Sequence, residues 1–266
     1  MDMLGKLQAA KPTLSCEYFP PKNPAGWGTL YATLAAAQEF KLDFASVTYG
    51  AGGSTREKTL SLVERLQNEL TIDAMAHLTC VGHSQAELDG ILRQLQADGI
   101  TAVMALRGDP PKGSTQFTPH PAGFHYASEL ITFIQERYDF KIGCACYPEG
   151  HMESANVQQD IDFLKLKQDC GADFAITQLF FDNEDFYRFR DAARAAGVTM
   201  PIIAGIMPVT AVSQLARFQS LCGCAIPTKL SDLLTAASET SIVERGIVYG
   251  TAQVQALLDN EIDGIH

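Results

Sequence analysis

The sequence predicts a single (β/α)8 TIM barrel, residues 1–266, of the α/β class. Two observations carry that expectation. Short apolar runs alternate with amphipathic helical stretches at the unit length of a right-handed βαβ crossover, and most runs are continuous, not alternating, as parallel strands covered on both faces require. A third observation removes the main competitor. No G-x-G-x-x-G follows the first strand, so an open doubly wound sheet of the dinucleotide-binding kind has no support.

The elements follow in order. Leu14–Phe19 reads as a strand stopped by Pro20-Pro21, which cannot donate to a ladder. Phe44–Tyr49, Ala74–Thr79, Ala102–Leu106, Ile142–Tyr147, Phe174–Leu179 and Ile202–Ile206 are the next six strands. Helices are expected over Glu57–Gln67, Ser84–Asp98, Ala127–Arg137, Val157–Cys170, Asn183–Ala196 and Val212–Leu221. Ser84 is an N-cap, and Gly99, Gly171 and Gly197 stand just past helix ends. Two more helical stretches, Lys229–Ala237 and Ser241–Asp259, precede Asp263-Gly-Ile-His266, which reads as an eighth strand cut short at the C-terminus.

The chain has 266 residues, 46% of them hydrophobic and 19% charged, with a net charge of −11. That acidity leaves no electrostatic footprint for nucleic acid or an anionic membrane. The N-terminus lacks an apolar signal core, and no stretch reaches the ~18 apolar residues of a membrane span. Seven cysteines in a chain of this size point to a reducing, cytoplasmic setting. The pairs Cys144/Cys146 and Cys222/Cys224 lack the second cluster of a zinc site and read as core or turn residues.

In a barrel, chemistry belongs at the carboxyl ends of the strands. That rule collects Glu17, Thr48, the glycine-rich 50–54 loop, His77, Thr79, Arg107-Gly-Asp109, Tyr147-Pro-Glu-Gly-His151 and Gln178. Glu17, an acid in an apolar strand, is either a proton-transfer group with a raised pKa or the partner of a barrel lysine or arginine. Asp109 is a turn cap or a negative charge beside a ligand. The 50–54 loop lacks the Lys-Ser/Thr of a P-loop. His77 is a core histidine or a ligand contact, and His151 with Glu149 and Glu153 is either a metal site or a loop with ordinary solvated carboxylates. Gln178 either orients a heterocycle or closes a backbone gap. Phe180 and Phe181 read as core.

As a set, Glu17-Tyr-Phe-Pro-Pro-Lys22, Ser46-Val-Thr-Tyr-Gly-Ala51, His77-Leu-Thr-Cys80, Ala105-Leu-Arg-Gly-Asp109, Tyr147-Pro-Glu-Gly-His151, Ile176-Thr-Gln178 and Gly205-Ile-Met-Pro208 closely resemble the methylenetetrahydrofolate reductase family. The resemblance implies an FAD-dependent reduction of 5,10-methylenetetrahydrofolate to 5-methyltetrahydrofolate, with NADH or NADPH as donor. It makes Glu17 the general acid and sets Asp109 by the flavin ring and pterin. Gln178 becomes the folate-bonding amide, and Gln214 and Phe218 line a shared substrate and nicotinamide site. For FAD the matching positions are Thr48, His77, Leu106, Arg107, Gly108, Asp109, Tyr126, Ala127, Tyr147, His151, Asp160 and Lys167. Relatives form dimers to tetramers, so a homo-oligomer is expected. The alternative is a flavin-binding subunit that receives electrons from a partner protein. Two departures stand out. Leu166 occupies a position where some relatives carry a second basic residue, and the terminal strand of relatives, with an arginine that contacts the folate tail, does not follow His266.

Overall fold

The computed structural model of the chain describes residues 3–7, 9, 11–21, 23–49, 56–110, 117–236, 238 and 241–266; the glycine-rich loop 50–54 and the positions of Lys22 and Pro111 lie outside them. Its strands are β1 (Thr13–Tyr18), β2 (Phe44–Val47), β3 (Ala74–Thr79), β4 (Ala102–Leu106), β5 (Lys141–Cys146), β6 (Phe174–Thr177), β7 (Ile202–Ile203) and β8 (Gly264–Ile265). The helices are α1 (Met3–Leu7), α2 (Gly26–Ala37), α3 (Arg56–Asn68), α4 (Gln85–Ala97), α5 (Ala127–Arg137), α6 (Val157–Asp169), α7 (Asn183–Ala195), α8 (Ser213–Cys222), α9 (Thr228–Thr235) and α10 (Ile242–Leu258). The strands are hydrogen-bonded in the order β7-β6-β5-β4-β3-β2-β1-β8, and a parallel bridge joins Ala204, just past β7, to Ile265 of β8. This is the predicted (β/α)8 class. Among the described residues no helix is long and apolar enough to cross a membrane.

The chain divides into two compact units. The first holds Met1–Ala9, Thr13–Cys144 and Asp169–Asp173; the second holds Ala10–Pro12, Ala145–Gln168 and Phe174–His266. In the first, β2 and β3 are buried at every position. Helix α3 buries Thr59, Leu62, Val63 and Leu66, and α4 buries Leu88, Ile91, Leu92 and Leu95, the spacing of one helical face. Helix α4 starts at the predicted cap. Ser84 Oγ accepts from Glu87 N–H at 3.3 Å while the Glu87 carboxylate accepts from Ser84 N–H at 2.8 Å. In the second unit Phe181, Val209, Leu215, Phe218, Cys224, Leu230 and Leu234 form one apolar cluster.

Strand starts share one device. Leu14 N–H donates to Asp43 Oδ2 at 2.9 Å, and Asp43 N–H donates back to Leu14 O at 2.8 Å. The same pair of bonds joins Ile142 to Asp173, at 2.7 and 2.8 Å. Both aspartates stand immediately before a Phe-Ala that opens the neighbouring strand. Asp263, immediately before β8, likewise accepts from Ile202 N–H at 2.7 Å. Each carboxylate satisfies a backbone donor that precedes regular pairing.

Helix α2 was not expected. Its Gly26 and Gly28 are poor helix formers and only Leu34 is buried, so it carries no apolar periodicity to detect.

Candidate active site

In the first unit, the register of β1, β2 and β3 brings two site residues together. Glu17 pairs with Ser46, and Ser46 with Met75, so Glu17 and His77, two residues beyond Met75, project from the same face. Glu17 Oε2 lies 3.5 Å from His77 Nε2, with the glutamate side chain 33% exposed and the histidine side chain 10%. Glu17 is thus exposed, not enclosed as an acid within an apolar strand would be. Thr13, Ser15 and Glu17 alternate along one face of β1, and Glu17 is the last of them, at the strand's open end beside the exposed Phe19. Among the described residues its carboxylate meets a histidine at ion-pair distance.

Thr48 follows β2; its N–H donates to Tyr18 O and its carbonyl accepts from Thr59 Oγ1 at 2.8 Å. The Arg107-Gly-Asp109 turn is fixed by its glycine. Gly108 has φ +86°, and a Cβ there would stand 2.6 Å from Val81 Cγ1 and 2.9 Å from Thr79 Cβ. Leu106 O and Arg107 O accept from Cys80 and Val81 N–H, both at 3.0 Å, which holds the turn against the end of β3. The Arg107 guanidinium lies over the Phe117 ring at 4.9 Å, and Asp109 is exposed. Tyr126, the N-cap of α5, is 61% exposed, and Ala127 beside it is buried. Tyr49, after β2, bonds His83 Nε2 through its hydroxyl at 3.0 Å. Burial pushes the Tyr49 phenol up to about 12 and holds the His83 imidazole below its ordinary value. That pair carried no signal in the sequence, because His83 stands in a loop with no patterned neighbours.

In the second unit, the loop between β5 and α6 is organised by Asp160. Its carboxylate accepts from His151 N–H at 2.9 Å and from Ser154 Oγ at 2.8 Å, and Asp160 is buried. The Tyr147 and His151 rings meet edge to face at 4.7 Å. Lys167 Nζ donates to Ala145 O at 2.9 Å, so one of its three protons is held by the strand and the head group sits next to the loop. Gln178 Oε1 accepts from Leu179 N–H at 2.9 Å, which is the backbone-closing role weighed above. Gln214 Oε1 accepts from Thr210 and Ala211 N–H at 2.7 and 3.0 Å, closing the turn that leads into α8. Phe218 is buried and packs on Phe181 with ring centroids 5.9 Å apart. Phe180 and Phe181 are core, as expected.

Glu149 departs from its expected solvated state. It is half-buried, and its Oε2 accepts from Ala225 N–H at 2.6 Å. Burial pushes its carboxyl above the ordinary range, against the lowering effect of that bond, and Asp185 and Asp182 push it further up. Glycine and proline on either side read as a plain turn, and the contact across 76 residues leaves no local trace.

Acids, imidazoles and a glycine-turned arginine loop at the carboxyl ends of parallel strands are the arrangement in which (β/α)8 proteins keep their active sites. The methylenetetrahydrofolate reductase family profile matches residues 3–266, and the chain belongs to that family. It is 39% identical over 220 residues to 5,10-methylenetetrahydrofolate reductase of Escherichia coli K12, covering 83% of this chain and 72% of that one. It is 36% identical over 261 residues to methylenetetrahydrofolate reductase 1 of Schizosaccharomyces pombe, covering 96% of this chain and 43% of that one. With methylenetetrahydrofolate reductase (NADH) 1 of Zea mays it shares 34% identity over 265 residues, covering 95% and 45%. The chain thus spans less than half the length of the yeast and maize relatives. Among solved structures, 2,3-dimethylmalate lyase, a PEP mutase/isocitrate lyase superfamily member, superposes with a TM-score of 0.57 at 9% identity, over 100% of this chain and 88% of that one. Oxaloacetate acetylhydrolase superposes at 0.53 and 11% identity, over 96% and 94%. These likenesses concern the fold alone.

Proposed function

We propose that the chain binds FAD and reduces 5,10-methylenetetrahydrofolate to 5-methyltetrahydrofolate, with NADH or NADPH as electron donor. The observation that carries this reading is the family match over residues 3–266, joined to a carboxyl at the end of β1 that is within reach of a histidine. The donor chemistry suits a flavin dinucleotide. Arg107 and Lys167 are cations for a diphosphate, Thr48 and Tyr147 offer hydroxyls, and His77 and His151 offer ring nitrogens. Thr79 Oγ1, on the same face of β3 as His77, is buried and has no hydrogen-bond partner among the described residues, which suits a site awaiting a polar ligand. Leu106, Gly108, Tyr126, Ala127 and Asp160 complete the proposed flavin contacts.

When bound, the flavin supplies the hydride. Glu17 holds a proton at its carboxyl and passes it to the ring nitrogen as the methylene–nitrogen bond breaks. The departing nitrogen keeps the bonding pair, and the iminium carbon left behind accepts the hydride. Asp109 places a negative charge beside that cation. Gln178 offers its amide to the pterin, and Gln214 and Phe218 line the surface shared with the nicotinamide. A homo-oligomer in the cytoplasm is the proposed working state. The test is anaerobic. The purified chain is expected to carry a flavin spectrum that bleaches with NADH or NADPH and returns on addition of methylenetetrahydrofolate. A flavin that bleaches but is not reoxidised by the folate would refute the reading.

A further inference from the structure

The unexplained acid is Glu149. It lies in the turn Tyr147-Pro-Glu-Gly-His151, between two residues proposed to hold the flavin, yet its Oε2 reaches Ala225 N–H at 2.6 Å. Ala225 belongs to the connection that ends α8 and leads into α9. A second contact joins the same two segments. Gly223, at φ +70°, caps α8, and a Cβ built there would come 2.8 Å from Met152 Cγ, so the methionine side chain rests on that glycine. Helix α8 carries Gln214 in its first turn and Phe218 on its buried face. The loop proposed to hold the cofactor and the helix proposed to face the substrate are therefore joined through one carboxylate and one thioether.

Glu149 Oε1 is buried with no hydrogen-bond partner among the described residues, so the Oε2 bond to the exposed Ala225 amide is the anchor of a carboxylate whose other oxygen is enclosed. The charged and titratable groups acting on it are Asp182 and Asp185, before and in the first turn of α7, while Cys224 sits close enough to feel its charge, with Cys222 beside it. None of these is a cation, so the Ala225 N–H is the favourable partner in the described surroundings. Breaking the contact leaves a backbone donor and a helix end unanchored, whereas an amide in place of the acid still offers an acceptor oxygen.

We propose that Glu149 is a positioning residue. By accepting from Ala225 N–H it sets α8, and with it Gln214 and Phe218, in register with the Tyr147–His151 loop. The inference rests on the site roles proposed in the preceding section. It is tested on the full chain with Glu149→Ala and Glu149→Gln. In the ligand-free chain, amide exchange at Ala225 and along α8 is expected to speed up about tenfold in Glu149→Ala and to stay near the wild-type rate in Glu149→Gln. In the flavin-loaded chain, Glu149→Ala is expected to raise the KM for methylenetetrahydrofolate about tenfold with kcat and flavin content within about threefold of wild type, and Glu149→Gln to restore it. Unchanged exchange in Glu149→Ala would overturn the hydrogen bond itself. Faster exchange with an unchanged KM would reduce it to a loop tether and overturn the inference. A wild-type chain inactive on the folate would instead refute the proposed function, and this inference with it, whatever the variants do.

Discussion

Glu17 Oε2 stands 3.5 Å from His77 Nε2, on the same face of β1 and β3, with β2 between the two strands. A carboxyl beside an imidazole differs from one locked to a guanidinium, because the imidazole can itself give or take a proton near neutral pH. That geometry sets a ring of this kind beside the acid proposed for the reaction. Replacement of Glu17 by Gln is expected to slow reoxidation of the reduced flavin by methylenetetrahydrofolate by about 10²- to 10⁴-fold, the usual contribution of a positioned acid. Flavin reduction by the nicotinamide needs no such acid and is expected to stay within about threefold. Stopped-flow measurement of each half-reaction separates them, and an equal loss in both would deny Glu17 the acid's role.

The strand-start aspartates make a second, purely structural prediction. Burial pushes the Asp173 carboxyl above its ordinary range, while the Ile142 N–H and Lys141 pull it back. Native Asp173 thus holds its proton more tightly than the unfolded chain does, so its ionisation costs stability as pH rises from the ordinary carboxylate range through the raised value. Asp173→Asn keeps an acceptor for Ile142 and removes that cost. It is expected to match wild type at low pH and to be at least as stable at pH 7. Asp173→Ala strands a buried N–H and is expected to lose about 1–3 kcal/mol. Asp43→Ala is expected to lose less, because Leu14 is 40% exposed and water can replace the carboxylate. Urea unfolding at the two pH values checks all three.

Much of this was legible because parallel strands announce themselves as apolar runs. Ala74–Thr79 and Ala102–Leu106 begin and end where the runs do, and Ser84 caps α4 as its S-x-x-E spacing requires. Strand β7 stops short of the predicted Ile206 for a reason that is tertiary. Gly205 N–H turns to Thr177 Oγ1 at 2.9 Å, and the glycine lies so close to Thr177 O that a Cβ would come within 2.3 Å. The site shows the same division. Position at strand ends selected Glu17, His77 and Asp109, because barrel topology alone places them. Partners could not be read, since the Glu17–His77 pair spans 60 positions and the Glu149–Ala225 bond joins two loops, and neither leaves a periodic trace.

The turn that carries Arg107 and Asp109 depends on Gly108. At φ +86° any side chain is strained, and the Cβ of alanine would press on Val81 and Thr79, both part of the packed end of β3. Gly108→Ala is expected to cost about 1–3 kcal/mol in backbone strain before any clash is counted. If the turn shifts to relieve it, flavin affinity should fall with stability. Thermal melts and flavin titration of the variant, set against a surface control such as Gly28→Ala, where a Cβ meets nothing within 4 Å, give the comparison.

Cysteine reactivity provides the last prediction. Burial pushes the Cys80 thiol up to about 12 and the Cys224 thiol to about 11, and both side chains are almost wholly enclosed. At pH 8 their thiolate fractions are on the order of 10⁻⁴ and 10⁻³, against roughly a quarter for a free cysteine. Cys16, Cys170 and Cys222 are partly exposed, and burial also raises the Cys16 thiol. Iodoacetamide at pH 8 is therefore expected to label Cys170 and Cys222 first, Cys16 more slowly, and Cys80, Cys144, Cys146 and Cys224 only on unfolding. Peptide mass mapping over time reads the order directly. Early labelling of Cys80 would mean that the end of β3 opens in solution. The Arg107 turn, whose carbonyl accepts from Val81 N–H, would then have lost the support on which its geometry depends.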